Sequence, residues 1–73
     1  MAFKKTRISV WPDGHFTRVE LGPFDTREDA EQDMTLTREN HGGRASTLSI
    51  EETASTLVVV KEDGVVFVYN WAE

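Results

Sequence analysis

A chain of 73 residues with no cysteine and a formal net charge of −5 has room for a single domain, 1–73, and none for a disulfide, a thiolate metal site or a thiol nucleophile. No apolar run approaches the roughly 18–20 residues that a membrane span needs. The opening Met1-Ala2-Phe3-Lys4-Lys5-Thr6-Arg7 has no apolar core after it to act as a secretory signal, so a cytoplasmic protein without a membrane segment is expected.

Charge is unevenly placed. Between Asp25 and Glu39 stand six acids (Asp25, Glu28, Asp29, Glu31, Asp33, Glu39) and two bases (Arg27, Arg38), while Lys4, Lys5 and Arg7 form the one basic cluster. Phosphate binding requires several cations to displace counterions, so direct nucleic-acid binding is not expected. A protein partner fits the balance better.

Taken in order, Thr6 to Leu21 reads as a hairpin around Trp11-Pro12-Asp13-Gly14-His15-Phe16. Setting Trp11 opposite Phe16 closes a four-residue loop and gathers Ile8, Val10, Val19 and Leu21 on one face, as a buried face requires. A three-residue loop would oppose Ile8 to Arg18 and split that set. The opposite face then carries Arg7 across from Glu20, Ser9 across from Arg18, and Trp11 across from Phe16. Such a face is either a solvated surface with an ion pair and an aromatic clasp, or a contact patch anchored by Trp11, Phe16, Arg18 and Arg7.

Gly22-Pro23-Phe24 ends the second strand, and the acids that follow open a helix. Asp25 with Glu28 forms one capping box and Thr26 with Asp29 a weaker one. The helix is expected to run to about Asn40, where His41-Gly42-Gly43 stops it with a left-handed glycine. Its apolar stripe, Ala30, Met34 and Thr37, is thin, so it lies on a sheet by one narrow edge with Phe24 beneath its start. Leu36 falls off that line.

Leu48 and Ile50 alternate with Thr47, Ser49 and Glu51 as in a short half-buried strand. Ser49-x-x-Glu52 with Ile50, Ala54, Leu57 and Val58 at helical spacing leaves a helix open for residues 47–55. From Leu57 to Trp71, two β-branched and aromatic segments flank Asp63-Gly64, a strong hairpin signal. A two-residue type I′ turn there pairs Val60 with Phe67, Val58 with Tyr69, Thr56 with Trp71, Val59 with Val68 and Leu57 with Asn70. Both faces are apolar, and either can be the buried one; if the aromatic face is uncovered, Tyr69 and Trp71 become a second contact patch. The fold expected is α+β: a small antiparallel sheet of four to five strands with one helix, in the order ββαβββ.

Chemistry is hard to find in these residues. His15 lies in a turn and His41 at a helix end, neither with a second ligand at metal spacing, so no metal site or cofactor is expected. The serines at 46, 49 and 55 have no base arrangement, and Gly42-Gly43 is no phosphate loop. Catalysis is not expected.

Two resemblances bear on function. The string from Val19 to Glu31, with its Gly-Pro-Phe corner and capped acidic helix, resembles the strand-to-helix corner of SPOR domains, small peptidoglycan-binding modules. That family places a further strand-and-helix unit where this chain ends on a hairpin, and no site residue carries over. The compact ββα start, the missing cysteines and the helix Glu28-Asp29-Ala30-Glu31-Gln32-Asp33 resemble small phage-encoded host-takeover proteins, including RNA polymerase-binding inhibitors and antiterminators. That resemblance implies a monomeric, non-catalytic regulator that docks on a host machine, with host RNA polymerase as the target. The alternatives are an acidic nucleic-acid mimic, with Glu28, Glu31 and Asp33 standing in for phosphates, or a SPOR-like binding module.

Overall fold

In a computed structural model of the chain, which describes residues 3–72, five strands and one helix follow the expected order. They are β1 (Phe3–Val10), β2 (Phe16–Phe24), α1 (Arg27–Gly42), β3 (Thr47–Glu52), β4 (Thr56–Lys61) and β5 (Val66–Ala72). Met1 and Ala2 of the expected signal-free start, and Glu73 of the C-terminal end, lie outside the described residues. All neighbouring strands are antiparallel, in the spatial order β2-β1-β5-β4-β3. Residues 47–52 are strand, which settles the open choice there against a helix.

The order has a consequence for covering. The connection from β2 to β3 joins one edge of the sheet to the other, and α1 is that connection. A helix of 16 residues is about 24 Å long, close to the width of five strands at about 4.8 Å each. It therefore crosses one face of the whole sheet, and among the described residues nothing crosses the other. The shortest extent of the molecule, 16 Å, is that of one sheet and one helical layer.

Both hairpin registers differ from expectation by one residue, and for the same reason. Observed pairs are Ile8 with Arg18 and Val10 with Phe16 in the first hairpin, and Val58 with Val68 and Val60 with Val66 in the second. Each turn is a three-residue loop, Pro12-Asp13-Gly14 or Glu62-Asp63-Gly64. Gly14 and Gly64 have φ of 91° and 90°, and no other residue type has positive φ among the described residues. A type I′ turn would have required positive φ at Asp63 as well, which a non-glycine residue resists. In the loop that forms, a type I turn precedes one left-handed glycine. The amide of Gly14 donates to Trp11 and that of Gly64 to Lys61, each at 3.0 Å. Each aspartate then accepts the amide two residues on: His15 N–H to Asp13 Oδ1 at 2.9 Å, and Val65 N–H to Asp63 Oδ1 at 3.1 Å.

Register sorts the side chains. Leu57 and Val59 of β4 share the helix face with Phe67, Tyr69 and Trp71 of β5 and with Lys5, Arg7 and Ser9 of β1. Leu57 and Val59 are fully buried there, and Tyr69 and Trp71 nearly so at 6% and 5% exposure. The aromatic face is thus the covered one, and Tyr69 and Trp71 form no open patch. Ile8 and Val10 do not join Val19 and Leu21; they point to the opposite face.

The helix behaves largely as read. Its buried residues are Ala30, Met34 and Thr37, with Leu36 exposed, and Phe24 packs against the core. Of the two caps, Thr26 prevails, accepting the Asp29 amide at 3.1 Å. The helix continues to Gly42, and Gly43 closes it at φ −84°, so the expected left-handed stop is absent; the Gly43 amide reaches back to the Glu39 carbonyl instead.

The two turns lie side by side, and this separates their tolerance to substitution. A Cβ on Gly14 would meet nothing within 4 Å, whereas one on Gly64 would come within 2.7 Å of Pro12 Cγ. G14A should therefore cost about 1–2 kcal/mol, the left-handed conformation alone. G64A should cost measurably more, as urea unfolding of the two variants can test.

Candidate functional site

Two surfaces of the sheet carry features that core packing does not explain. The first is a polar seam between α1 and the sheet. Lys5, only 9% exposed, points from β1 toward the helix. Its Nζ lies 3.0 Å from Asp33 Oδ2 and donates to Thr37 Oγ1 at 3.0 Å, and it sits 5.0 Å and 5.4 Å from the ring centres of Tyr69 and Trp71. The Trp71 indole N–H donates to the same Asp33 oxygen at 2.9 Å, and the Thr37 hydroxyl donates to the Asp33 carbonyl at 2.8 Å. One turn further along, His41 Nε2 is 2.9 Å from the Tyr69 hydroxyl. Asp33, Thr37 and His41 are spaced by four, so one ridge of the helix supplies all three.

Within the seam Lys5 pairs with Asp33, and His41 with the Tyr69 hydroxyl. Burial lowers the His41 pKa below its ordinary 6.5, with Lys61, Arg44 and Lys5 acting the same way. Burial raises the Tyr69 pKa above 10.0, Asp33 adding to this and Arg7 opposing it. Both shifts favour the neutral forms of the pair. The buried Nε of Arg7 and Nδ1 of His41 have no hydrogen-bond partner among the described residues. Among the described residues, no group of three or more His, Cys, Asp or Glu could hold a metal ion.

The second surface is the uncovered face. Strand pairing arranges it in rows that cross all or nearly all of the sheet. The middle row runs Arg18, Ile8, Val68, Val58, Glu51 from the β2 edge to the β3 edge. Beside it runs Phe16, Val10, Val66, Val60, Ser49. A polar row, Glu20, Thr6, Asn70, Thr56, borders the other side, with the Asn70 amide donating to Thr56 Oγ1 at 2.9 Å. Six β-branched aliphatic side chains thus lie together, half-buried only by one another, with Phe16 at their edge 66% exposed.

The residues singled out from sequence are divided between these surfaces. Phe16 and Arg18 lie on the uncovered face, where Arg18 makes an exposed 3.5 Å pair with Glu20. Arg7 does not join them: it pairs with Val19 and Tyr69 on the helix face and is half-buried there. Trp11 is not opposite Phe16. Its amide bonds to the His15 carbonyl at 2.8 Å, its ring stands 5.2 Å from that of His15, and it lines a shallow hollow with Lys61, Val65 and Phe67. The expected aromatic clasp is therefore absent, a direct result of the one-residue register difference. Of the acidic helix, Glu28 and Glu31 are exposed, but Asp33 is engaged with Lys5 and Trp71 and is not a free surface acid.

Sequence reasoning missed the uncovered aliphatic rows and the Lys5–Asp33 pair. A turn assignment with positive φ confined to the glycines would have found the rows; no local signal points to the pair, whose members are far apart in the chain. No helix among the described residues is long and apolar enough to cross a membrane. Set against family models, curated proteins and solved structures, the chain matches none of them.

The Lys5 side chain is nearly buried and that of Asp33 is 28% exposed, so removing Asp33 leaves Lys5 and the Trp71 N–H with a partner lost in a partly screened site. D33A should cost about 1–3 kcal/mol in urea unfolding, and the K5M/D33L double variant should cost less than the two single losses combined. For His41 the lowered folded pKa means that the unfolded chain binds the proton more readily. Its contribution to stability is present above 6.5 and is lost as pH falls below that value. Thermal scans between about pH 7.5 and 5.5 should show a falling midpoint, and H41Q should flatten that decline.

Proposed function

We propose that the chain is a non-catalytic protein-binding regulator that acts by contact, and that its contact surface is the uncovered face of the sheet. The observation that carries this reading is the pair of aliphatic rows, Ile8-Val68-Val58 and Val10-Val66-Val60, lying on a face that no element covers among the described residues. The six side chains are half-buried against one another, with Phe16 66% exposed at their edge, and together they form a continuous apolar surface with no second layer over it among the described residues. Arg18 and Phe16 at the rim are residue types that anchor protein interfaces.

Three further points support a contact role over chemistry. Within the seam, Lys5 is held by Asp33, and His41 Nε2 by the Tyr69 hydroxyl. A hollow of about 540 Å³ beside the helix start has Arg27, Glu31 and Ser55 as its polar lining and no histidine beside the serine. The partner is more readily protein than nucleic acid, since the net charge is −5. The narrower reading, a phage-encoded regulator acting on host RNA polymerase by inhibition or antitermination, draws on the resemblance of the ββα start and acidic helix. Nucleic-acid mimicry is the weaker alternative, because Asp33 is withdrawn from the acidic line by its bonds to Lys5 and Trp71.

The test is affinity capture from lysate of the source cells by the parent chain and by V58K/V68K, with circular dichroism to show that the variant is folded. Loss of the captured protein from the folded variant is the expected result. Should the variant unfold, V58T/V68T keeps β-branched side chains on the strands and serves in its place. Capture undiminished by a folded variant would remove the uncovered face as the contact surface.

A further inference from the structure

Resting on the reading of this face as a protein-docking surface, we infer that the occupant it is built for is a second copy of the same chain, stacked face to face about a two-fold axis along β5. This departs from the monomer expected from sequence.

The symmetry is in the strand order. β5 is the central strand of five, with β1 and β2 on one side and β4 and β3 on the other. A two-fold axis parallel to β5, lying between two stacked sheets, brings β1 over the partner's β4 and β2 over the partner's β3. Such an interface is isologous, so each patch must complement itself. The middle row meets that requirement: its ends are Arg18 and Glu51, with Ile8, Val68 and Val58 between. Rotation sets Arg18 of each copy toward Glu51 of the other and places Val68 against its own copy. The second row places Phe16 toward Ser49, Val10 toward Val60, and Val66 against its own copy.

Packed sheets cross at about 30°, which displaces the outer strands by roughly 5 Å along their length. An arginine and a glutamate spanning that offset can still meet. The 3.5 Å contact of Arg18 with Glu20 is exposed and leaves other guanidinium donors available.

Size is adequate. Five strands at about 4.8 Å and three rows of same-face residues give a flat footprint of roughly 500 Å² per copy, or about 1,000 Å² for the pair before side-chain relief is counted. The per-copy figure is about a tenth of the 4910 Å² accessible surface of one chain, and the total for the pair meets the lower bound of about 1,000 Å² for a specific interface. Self-association is thus the resting state from which any other protein must take the face.

Sedimentation of the full chain from about 1 to 500 µM tests the inference, a range suited to an interface at that lower bound. The parent chain should show a monomer–dimer equilibrium. R18E and E51R, both at exposed edge-strand positions, each set two like-charge pairs across the axis and should weaken the dimer about tenfold. Mixing R18E with E51R in equal amounts restores both opposite pairs, and the mixture should associate as tightly as the parent chain. A dimer indifferent to either reversal, or a mixture no tighter than its components, overturns the inference. So does a parent chain that stays monomeric throughout. In that last case, capture still lost in V58K/V68K would leave the docking face standing with a different partner, and capture retained would remove both.

Discussion

The conformation of two aspartate–glycine turns decides what this molecule shows to its surroundings. In each, glycine alone takes positive φ and aspartate stays in the ordinary region, accepting an amide from two residues ahead. That choice fixes a three-residue loop and hence the register of both hairpins. Because side chains alternate along a strand, register sets which ones share a face. The aromatics of β5 fall together with Leu57 and Val59 under the helix. Val58 and Val60 of β4 and Val66 and Val68 of β5 fall together with Ile8 and Val10 on the opposite side.

From this sorting follow both the core and the exposed face. The helix has a stripe too narrow to bury a sheet face by apolar contact alone, and the seam of Lys5, Asp33, Thr37 and Trp71 extends its grip with a charge pair and hydrogen bonds. A buried ion pair adds little net stability relative to a well-packed apolar pair, yet it penalises misplacement of the helix strongly. The helix is also the crossover from one sheet edge to the other, and among the described residues no second element closes the aliphatic face. On the proposed reading, protein contact supplies the burial there.

Much of the fold was legible in the sequence. Helix-capping residues, the thin stripe of Ala30, Met34 and Thr37, and the alternation at Leu48 and Ile50 each report local physics, and the elements follow them. Register was not legible from the same source. Asp63-Gly64 suits a two-residue and a three-residue loop alike, and a hairpin apolar on both faces gives no preference between them. For β1 the misleading assumption was that Ile8 and Val10 must join Val19 and Leu21 of the same hairpin. Their companions are Val68 and Val66 of β5, nearly 60 residues on, and only the sheet order brings them together. The contact patch assembled from Arg7, Trp11, Phe16 and Arg18 failed with the register, while Phe16 and Arg18 kept a place on the exposed face.

The central claim is that the aliphatic face is open in the single chain and closed by protein contact. Methyl relaxation by a soluble paramagnetic probe reads that accessibility directly, side chain by side chain. At high dilution the methyls of Ile8, Val58, Val60, Val66 and Val68 should relax strongly and those of Leu57 and Val59 should not. The first group should become protected as concentration rises or a partner is added. Equal protection of both groups at dilution, or strong relaxation of Leu57 and Val59, would contradict the account.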